Sequence, residues 1–245
     1  MSSIPLHDLT IKTIAEYLRH NNNTLSVLQR VNRRFYDIRL YFINQICLRY
    51  DTSYQVWASE PYGWNRVHVF KLFNGINLTD VTPFKYIHSL VVVRCYNLSD
   101  LKPLSGIKRL WISMNNAITD VSPLSHVREL DLEQCTALED ISSLEFQVKR
   151  LRIAECNRIR DVSALGGVRN LTISLCRKVK DVSALGTVKN LTLELCDGIT
   201  DVTPLASVKN LLLYSCDNIK DISVLEKIPK LRIVSCEGYV NINRC

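Results

Sequence analysis

An aspartate returns about every twenty residues through most of the chain. It stands at Asp80, Asp100, Asp120, Asp140, Asp161, Asp181, Asp201 and Asp221, with one step of 21. Five residues before each beat from the second onward comes Cys95, Asn115, Cys135, Cys156, Cys176, Cys196 or Cys216, and Cys236 falls at the next such place. Ten residues before each comes Phe70, Leu90, Leu110, Leu130, Leu151, Leu171, Leu191 or Leu211, followed by Leu231. The unit is L-x-[LIV]-x-x-[CN]-x-x-[LIV]-x-D-[VIL]-x-x-[LF]-x-x-[VI]-x-x. Its L-x-L portion alternates with period two, which puts both apolar side chains on one face of a short strand. One such unit cannot bury that face alone. Stacked copies can, with strands pairing in parallel about 4.8 Å apart.

The Asp fits as a cap, its carboxylate accepting backbone N–H groups of the turn that follows. Pro83, Pro103, Pro123 and Pro204 sit three residues on, where a fixed φ and a missing donor cost little. Where the chain leaves the strand, a small side chain must turn inward and offer a hydrogen bond to nearby backbone. Cys and Asn both can. A zinc site would need ligands converging on a tetrahedron, whereas cysteines repeating at this period form a line. Asn115 in one of the places also cannot be a thiolate. The ladder Cys95, Asn115, Cys135, Cys156, Cys176, Cys196, Cys216 and Cys236 is therefore expected to be structural, with no metal and no cofactor.

The unit resembles the leucine-rich repeat, whose pattern is L-x-x-L-x-L-x-x-[NC]. The C-x-x-I half is similar to the cysteine-containing class often found behind F-boxes, and D-V-S-P-L to the internalin-like class. Eight or nine copies over residues 67–245 imply an α/β solenoid: an arc with a parallel concave sheet and a convex side of turns or short 3₁₀ segments.

The first 45 residues break the period. Ile11, Ile14, Ala15 and Leu18 form a helical stripe, and Leu25, Leu28, Val31, Phe35, Ile38 and Phe42 form another. The wording IPLHDLTIKTIAEYL…LSVLQRVNRRFYDI resembles an F-box. Ile4 and Pro5 match its opening Leu-Pro, and Asp8 and Leu9 its acidic-Leu pair. Ile14, Tyr17 and Leu18 match its first-helix core. Leu28, Val31, Arg33 and Phe35 match its second signature. One extra residue near the start and Asn21–Asn22–Asn23 depart from the pattern. The resemblance implies an adaptor-binding helical domain, residues 1–45, whose contacts would be Ile4, Pro5, Leu9, Ile14, Leu18, Leu28, Val31 and Phe35. The alternative is a helical cap on the end of the solenoid. Residues 46–66, with Trp57, Tyr62 and Trp64, are expected to form a linker or junction.

Strand positions that point away from the core define an expected partner face: Val91, Val93, Trp111, Met114, Asp131, Glu133, Arg152, Leu175, Leu195, Leu212 and Tyr214. It contains two apolar patches separated by charge, a composition typical of protein interfaces. A basic column, Lys108, Arg128, Lys149, Arg169, Lys189 and Lys209, precedes the strands. It reads either as a phosphate track or as a solubilising edge, and the second reading is preferred.

The 245 residues are 47% apolar, with 31 basic and 24 acidic side chains for a net charge of +7. This is a globular composition, mildly basic. No apolar run approaches the ~20 residues of a membrane span, and the charged N-terminus is no signal peptide. The expected location is the cytoplasm, or the nucleus, with the nine cysteines reduced. The five histidines occupy no common repeat position, and no P-loop, Rossmann or H-E-x-x-H pattern occurs. The chain reads as a binding protein and not an enzyme. By resemblance it is a substrate-recognition subunit of a Skp–cullin–F-box ubiquitin ligase, docking a Skp-type adaptor and through it a cullin while holding a protein substrate on the concave face. The alternative is a non-degradative interaction scaffold, and a nucleic-acid-binding solenoid comes third.

Overall fold

The computed structural model describes residues 45–48, 69–75, 78–144 and 148–236. Ten parallel strands form one sheet in strict chain order. They are Gln45–Leu48 (β1), Val69–Phe73 (β2), Ser89–Val93 (β3), Arg109–Asn115 (β4), Glu129–Cys135 (β5), Arg150–Ala154 (β6), Asn170–Ser174 (β7), Asn190–Glu194 (β8), Asn210–Tyr214 (β9) and Lys230–Val234 (β10). Each strand pairs with the equivalent residues of the next coil, so Leu151 faces Leu171 and Leu171 faces Leu191. Register is fixed because a one-residue slip would turn every leucine outward.

Each coil buries the same apolar positions. In one, Leu151, Ile153, Cys156, Ile159, Val162, Leu165 and Val168 are each at most 2% exposed. Full burial of one such aliphatic side chain stabilises by about 1.5–3 kcal/mol. The faces that do this are supplied by neighbouring coils, which makes the stack cooperative.

The convex side is built from short 3₁₀ turns, such as Thr82–Phe84, Ser122–Leu124, Ser163–Gly167 and Thr203–Ser207. Eight carboxylates start these turns. Asp120 Oδ1 accepts the Ser122 N–H at 2.8 Å, and Asp80, Asp100, Asp140, Asp161, Asp181, Asp201 and Asp221 make the same contact at 2.8–3.0 Å. For Asp120, Asp140, Asp161, Asp181 and Asp221 that backbone hydrogen bond, with a second from the serine hydroxyl, holds the carboxyl below its ordinary value. Asp201 is lowered in the same way by the hydroxyl and N–H of Thr203.

The corner that follows each strand explains the cysteines. The residue before each ladder position adopts a left-handed conformation: Met114 at φ 57°, Leu175 at 55°, Leu195 at 52° and Ser215 at 47° are examples. Such backbone costs on the order of 1–2 kcal/mol per non-glycine residue. Hydrogen bonds to the next coil offset it, for example Leu175 N–H to the Glu194 carbonyl at 2.8 Å and Leu195 N–H to that of Tyr214 at 2.9 Å. The turn swings the next side chain inward. Cys176 Sγ then donates to the Ser174 carbonyl at 3.4 Å, and Cys196 Sγ to those of Glu194 and Ile173, both at 3.4 Å.

Asn115 does more than a thiol. Its Nδ2 donates to the carbonyls of Cys95 at 2.6 Å and Leu98 at 3.0 Å, and its Oδ1 accepts from Ala117 and Ile118 N–H at 2.8 and 2.9 Å. Its own carbonyl is thereby left to accept from Thr136 N–H at 3.2 Å. Strand pairing runs on to Asn115–Cys135 here, which makes β4 and β5 the longest strands at seven residues each.

The sheet begins earlier than the repeat does. β1 lies at the border between the expected helical domain (1–45) and the expected linker (46–66), and pairs in parallel with β2, Ile46 beside Phe70 and Leu48 beside Leu72. Its offset from β2 is 24 residues instead of 20, so it carries the apolar alternation without keeping the period. The F-box-like residues Ile4, Pro5, Leu9, Ile14, Leu18, Leu28, Val31 and Phe35 lie outside the described residues, as do Trp57, Tyr62 and Trp64.

Candidate functional site

The outward positions of the strands line a concave groove of about 590 Å³ that crosses six strands, β3 to β8. One outward residue per strand forms its floor: Val91, Trp111, Asp131, Arg152, Thr172 and Thr192 are register neighbours in that order. The strand-opening residues Ser89, Arg109, Glu129, Arg150, Asn170 and Asn190 form one side.

Trp111 is 41% exposed, and Tyr214 on β9 is 38% exposed. Val91 is only 8% exposed, between its register neighbours Lys71 and Trp111. It therefore serves as wall more than as contact surface, contrary to the expectation that it lies open. The next outward row holds Ser113, Ala154 and Ser174, all buried, with Glu133 half-buried among them. Val93 and Leu212 are also half-buried. Met114, Leu175 and Leu195, expected on this face, share the parity of the core positions Leu110, Leu171 and Leu191. The structure gives each a left-handed backbone at or just past the end of its strand, which breaks the period of two and leaves the side chain half-buried.

Charge gathers at the middle of the groove. Arg152 Nη1 lies 3.0 Å from Asp131 Oδ1 and 3.2 Å from Glu133 Oε2. Burial pushes the Asp131 carboxyl above its ordinary value, and the guanidinium only partly offsets this. Arg109 and Glu129 form a more exposed pair at 3.3 Å. Gln134 Nε2 donates to Glu155 Oε2 at 2.7 Å. Two acids on one arginine leave an acidic centre beside an exposed indole.

Of the strand-opening row, sequence reasoning included Glu129 and Arg150 in the charged part of this face and missed the asparagines. Asn190 Nδ2 donates to Asn170 Oδ1, Asn210 Nδ2 to Asn190 Oδ1, and Asn170 Nδ2 to the Lys149 carbonyl at 3.3 Å. This amide ladder was signalled by V-[RK]-N-L in three consecutive repeats.

Among the described residues no group of three or more His, Cys, Asp or Glu side chains is placed to hold a metal. No described helix is long and apolar enough to cross a membrane. The ladder thiols are buried, apart from half-buried Cys236. Burial pushes Cys176 and Cys196 up to about 12 and Cys216 up to about 11. Thiols held so far from ionisation are poor nucleophiles and poor ligands.

No family model matches the sequence, and no curated protein matches it. Solved structures do match the fold. Internalin C2 of Listeria monocytogenes superposes with a TM-score of 0.56 at 22% identity, covering 75% of this chain and 90% of that one. An internalin, InlF, of the same organism gives 0.54 at 18%, covering 91% and 74%. The leucine-rich repeat domain of the type III effector XopL gives 0.52 at 12%, covering 98% and 99%. The fold is a leucine-rich-repeat solenoid. At these identities the likeness concerns architecture, and the side chains of the concave face are this chain's own.

Proposed function

We propose that the chain is a protein-binding scaffold that holds a partner on its concave face. The observation that carries this reading is the groove itself: an exposed Trp111 next to the Asp131–Arg152–Glu133 cluster, on a sheet stiffened by paired coils. Aromatic anchors and arginines beside ordered polar groups are the usual energetic centres of protein interfaces. The strands hold these side chains at fixed spacing, so little ordering entropy is lost on binding. A partner would place an apolar side chain against the indole and a basic group near Asp131 and Glu133.

A finer reading is favoured by the F-box-like motif between Ile4 and Phe35. In it, the N-terminal residues dock a Skp-type adaptor and through it a cullin, and the concave face presents the held protein for ubiquitylation. The chain then works by proximity, raising the effective concentration of the target near a conjugating enzyme. That reading also places the protein in the cytosol or nucleus.

Three tagged forms separate these readings in eukaryotic cells. Wild type and Trp111→Ser/Tyr214→Ser are compared for the partner that wild type retains, and loss in the double variant supports concave binding. Leu9→Ala/Ile14→Ala/Phe35→Ala tests the finer reading. Loss of an adaptor and a cullin, with the other partner retained, supports the ligase role. If wild type brings down neither, the scaffold reading alone stands. Retention of the partner by the concave variant overturns both.

A further inference from the structure

The edge where the coils enter the sheet carries a second surface that the groove does not use. Lys108, Arg128, Lys149, Arg169, Lys189 and Lys209 occupy the same place in six successive coils, and all are exposed. Backbone hydrogen bonds between adjoining coils lock the row: Arg128 N–H to the Lys108 carbonyl at 3.1 Å, Lys149 N–H to that of Arg128 at 2.9 Å, and Asn210 N–H to that of Lys189 at 3.1 Å. None of the six joins an ion pair among the described residues, although Arg109, Arg152 and Arg177 all do. Glu129, adjacent to the row, is engaged by Arg109. Beside Arg169, Lys189 and Lys209 the flank toward the convex side is made of small residues, Gly166, Gly167, Gly186, Thr187, Ala206 and Ser207. A side chain added at Gly186 would come within 2.4 Å of the Pro204 carbonyl, so the coils close up here into a smooth shelf.

Six exposed cations, one per coil and with no ion pair among the described residues, call for an anionic partner, and their spacing selects among partners. At about 4.8 Å per coil, five intervals span about 24 Å. An α-helix presents one face once per 5.4 Å turn, or about 27 Å over five turns. The ~3 Å difference is spread over six flexible side chains. An extended peptide shows the same face only every ~6.7 Å, or about 33 Å over five intervals. Duplex phosphates rise ~3.4 Å per strand along the helix axis and wind around it, so they do not stay on one line. We infer that this edge docks a partner α-helix carrying an acidic stripe, one Asp or Glu per turn, laid along the solenoid axis.

The test uses the full chain and a fluorescein-labelled, side-chain-stapled helical peptide with one Glu per turn on one face. Its comparator is a peptide of the same composition in scrambled order. Anisotropy should show the striped helix binding, more weakly as salt rises, and the scrambled peptide binding less well. Lys149→Glu/Arg169→Glu/Lys189→Glu should weaken the striped helix about tenfold or more. Arg158→Glu/Lys178→Glu/Lys220→Glu, an equal charge change elsewhere, should alter it less than about twofold. Unchanged circular-dichroism melting establishes that both variants fold. No binding by wild type overturns the inference, as does equal loss in both variants. So does tighter binding of a 20-base-pair duplex or of phosphatidylserine vesicles.

Discussion

Asn115→Ala should be among the more damaging single substitutions in the solenoid, and its cost can be worked out contact by contact. Four hydrogen bonds end at the Asn115 side chain, which is 1% exposed. They do not count equally. The Cys95 carbonyl still accepts from Leu98 N–H at 3.2 Å, and half-buried Ala117 can turn its N–H toward water. The Leu98 carbonyl and the Ile118 N–H are buried and lose their partner. A stranded buried group costs about 1–3 kcal/mol, so the Leu98 carbonyl and the emptied amide site together put the loss near 3 kcal/mol. Asn115→Cys should cost less, about 1–2 kcal/mol. In either variant Ile118 N–H can bond to the residue 115 carbonyl, as Leu138 bonds to Cys135 and Ile159 to Cys156, at the expense of the Thr136 contact, but only the thiol fills the inward site and donates to strand carbonyls as Cys196 does. Urea unfolding followed by circular dichroism gives both numbers, with the m-value reporting whether the array still unfolds as one. Hydrogen exchange at Ile118 gives a local readout. A loss under about 1 kcal/mol for the alanine variant, or equal losses for the two variants, would refute the assignment of Asn115 as a four-bond bracket.

Three further outcomes follow from the repeat geometry. The folded-state values of Asp120, Asp140, Asp161, Asp181, Asp201 and Asp221 are depressed, so their contribution is complete above the ordinary carboxyl range and lost as pH falls through the folded values. The thermal midpoint should be flat near neutrality and drop below about pH 4, and Asp161→Ala/Asp181→Ala should flatten that drop. Among the ladder thiols, Cys236 should react first with a disulfide reagent at pH 8, and Cys156, Cys176 and Cys196 only on unfolding, as timed labelling and mass spectrometry would show. Gly198→Ala should lower the thermal midpoint, because the new Cβ would lie 2.4 Å from the carbonyl oxygens of both Arg177 and Val179, and backbone cannot step aside as a side chain can.

The solenoid was legible because one physical requirement, burying the apolar face of a short strand against copies of itself, repeats at fixed spacing in Leu, Cys, Ile, Asp, Val and Leu. β1 was not, since Ile46 and Leu48 alternate correctly but stand outside the period. The candidate site was legible in part. Alternation placed Trp111, Asp131, Arg152 and Tyr214 on the sheet face. It does not govern Met114, Leu175 and Leu195, which share the parity of the core leucines but take a left-handed backbone, a state that no side-chain pattern announces for leucine or methionine. Burial of Val91 depends on the size of its cross-strand neighbours, which emerges only once the register is known. The Asn170–Asn190–Asn210 ladder was visible as letters, but its meaning required the strands to be side by side.

The central claim is that the concave face binds a protein partner. The most direct measurement is calorimetric titration of a copurified partner into wild type, into Trp111→Ser/Tyr214→Ser, and into the convex-side variant Lys102→Glu/Lys180→Glu. With two aromatic anchors lost, the concave variant should bind at least about a hundredfold more weakly, while the convex variant stays within about twofold of wild type. Wild-type affinity in the concave variant, whatever the convex one does, would contradict the account.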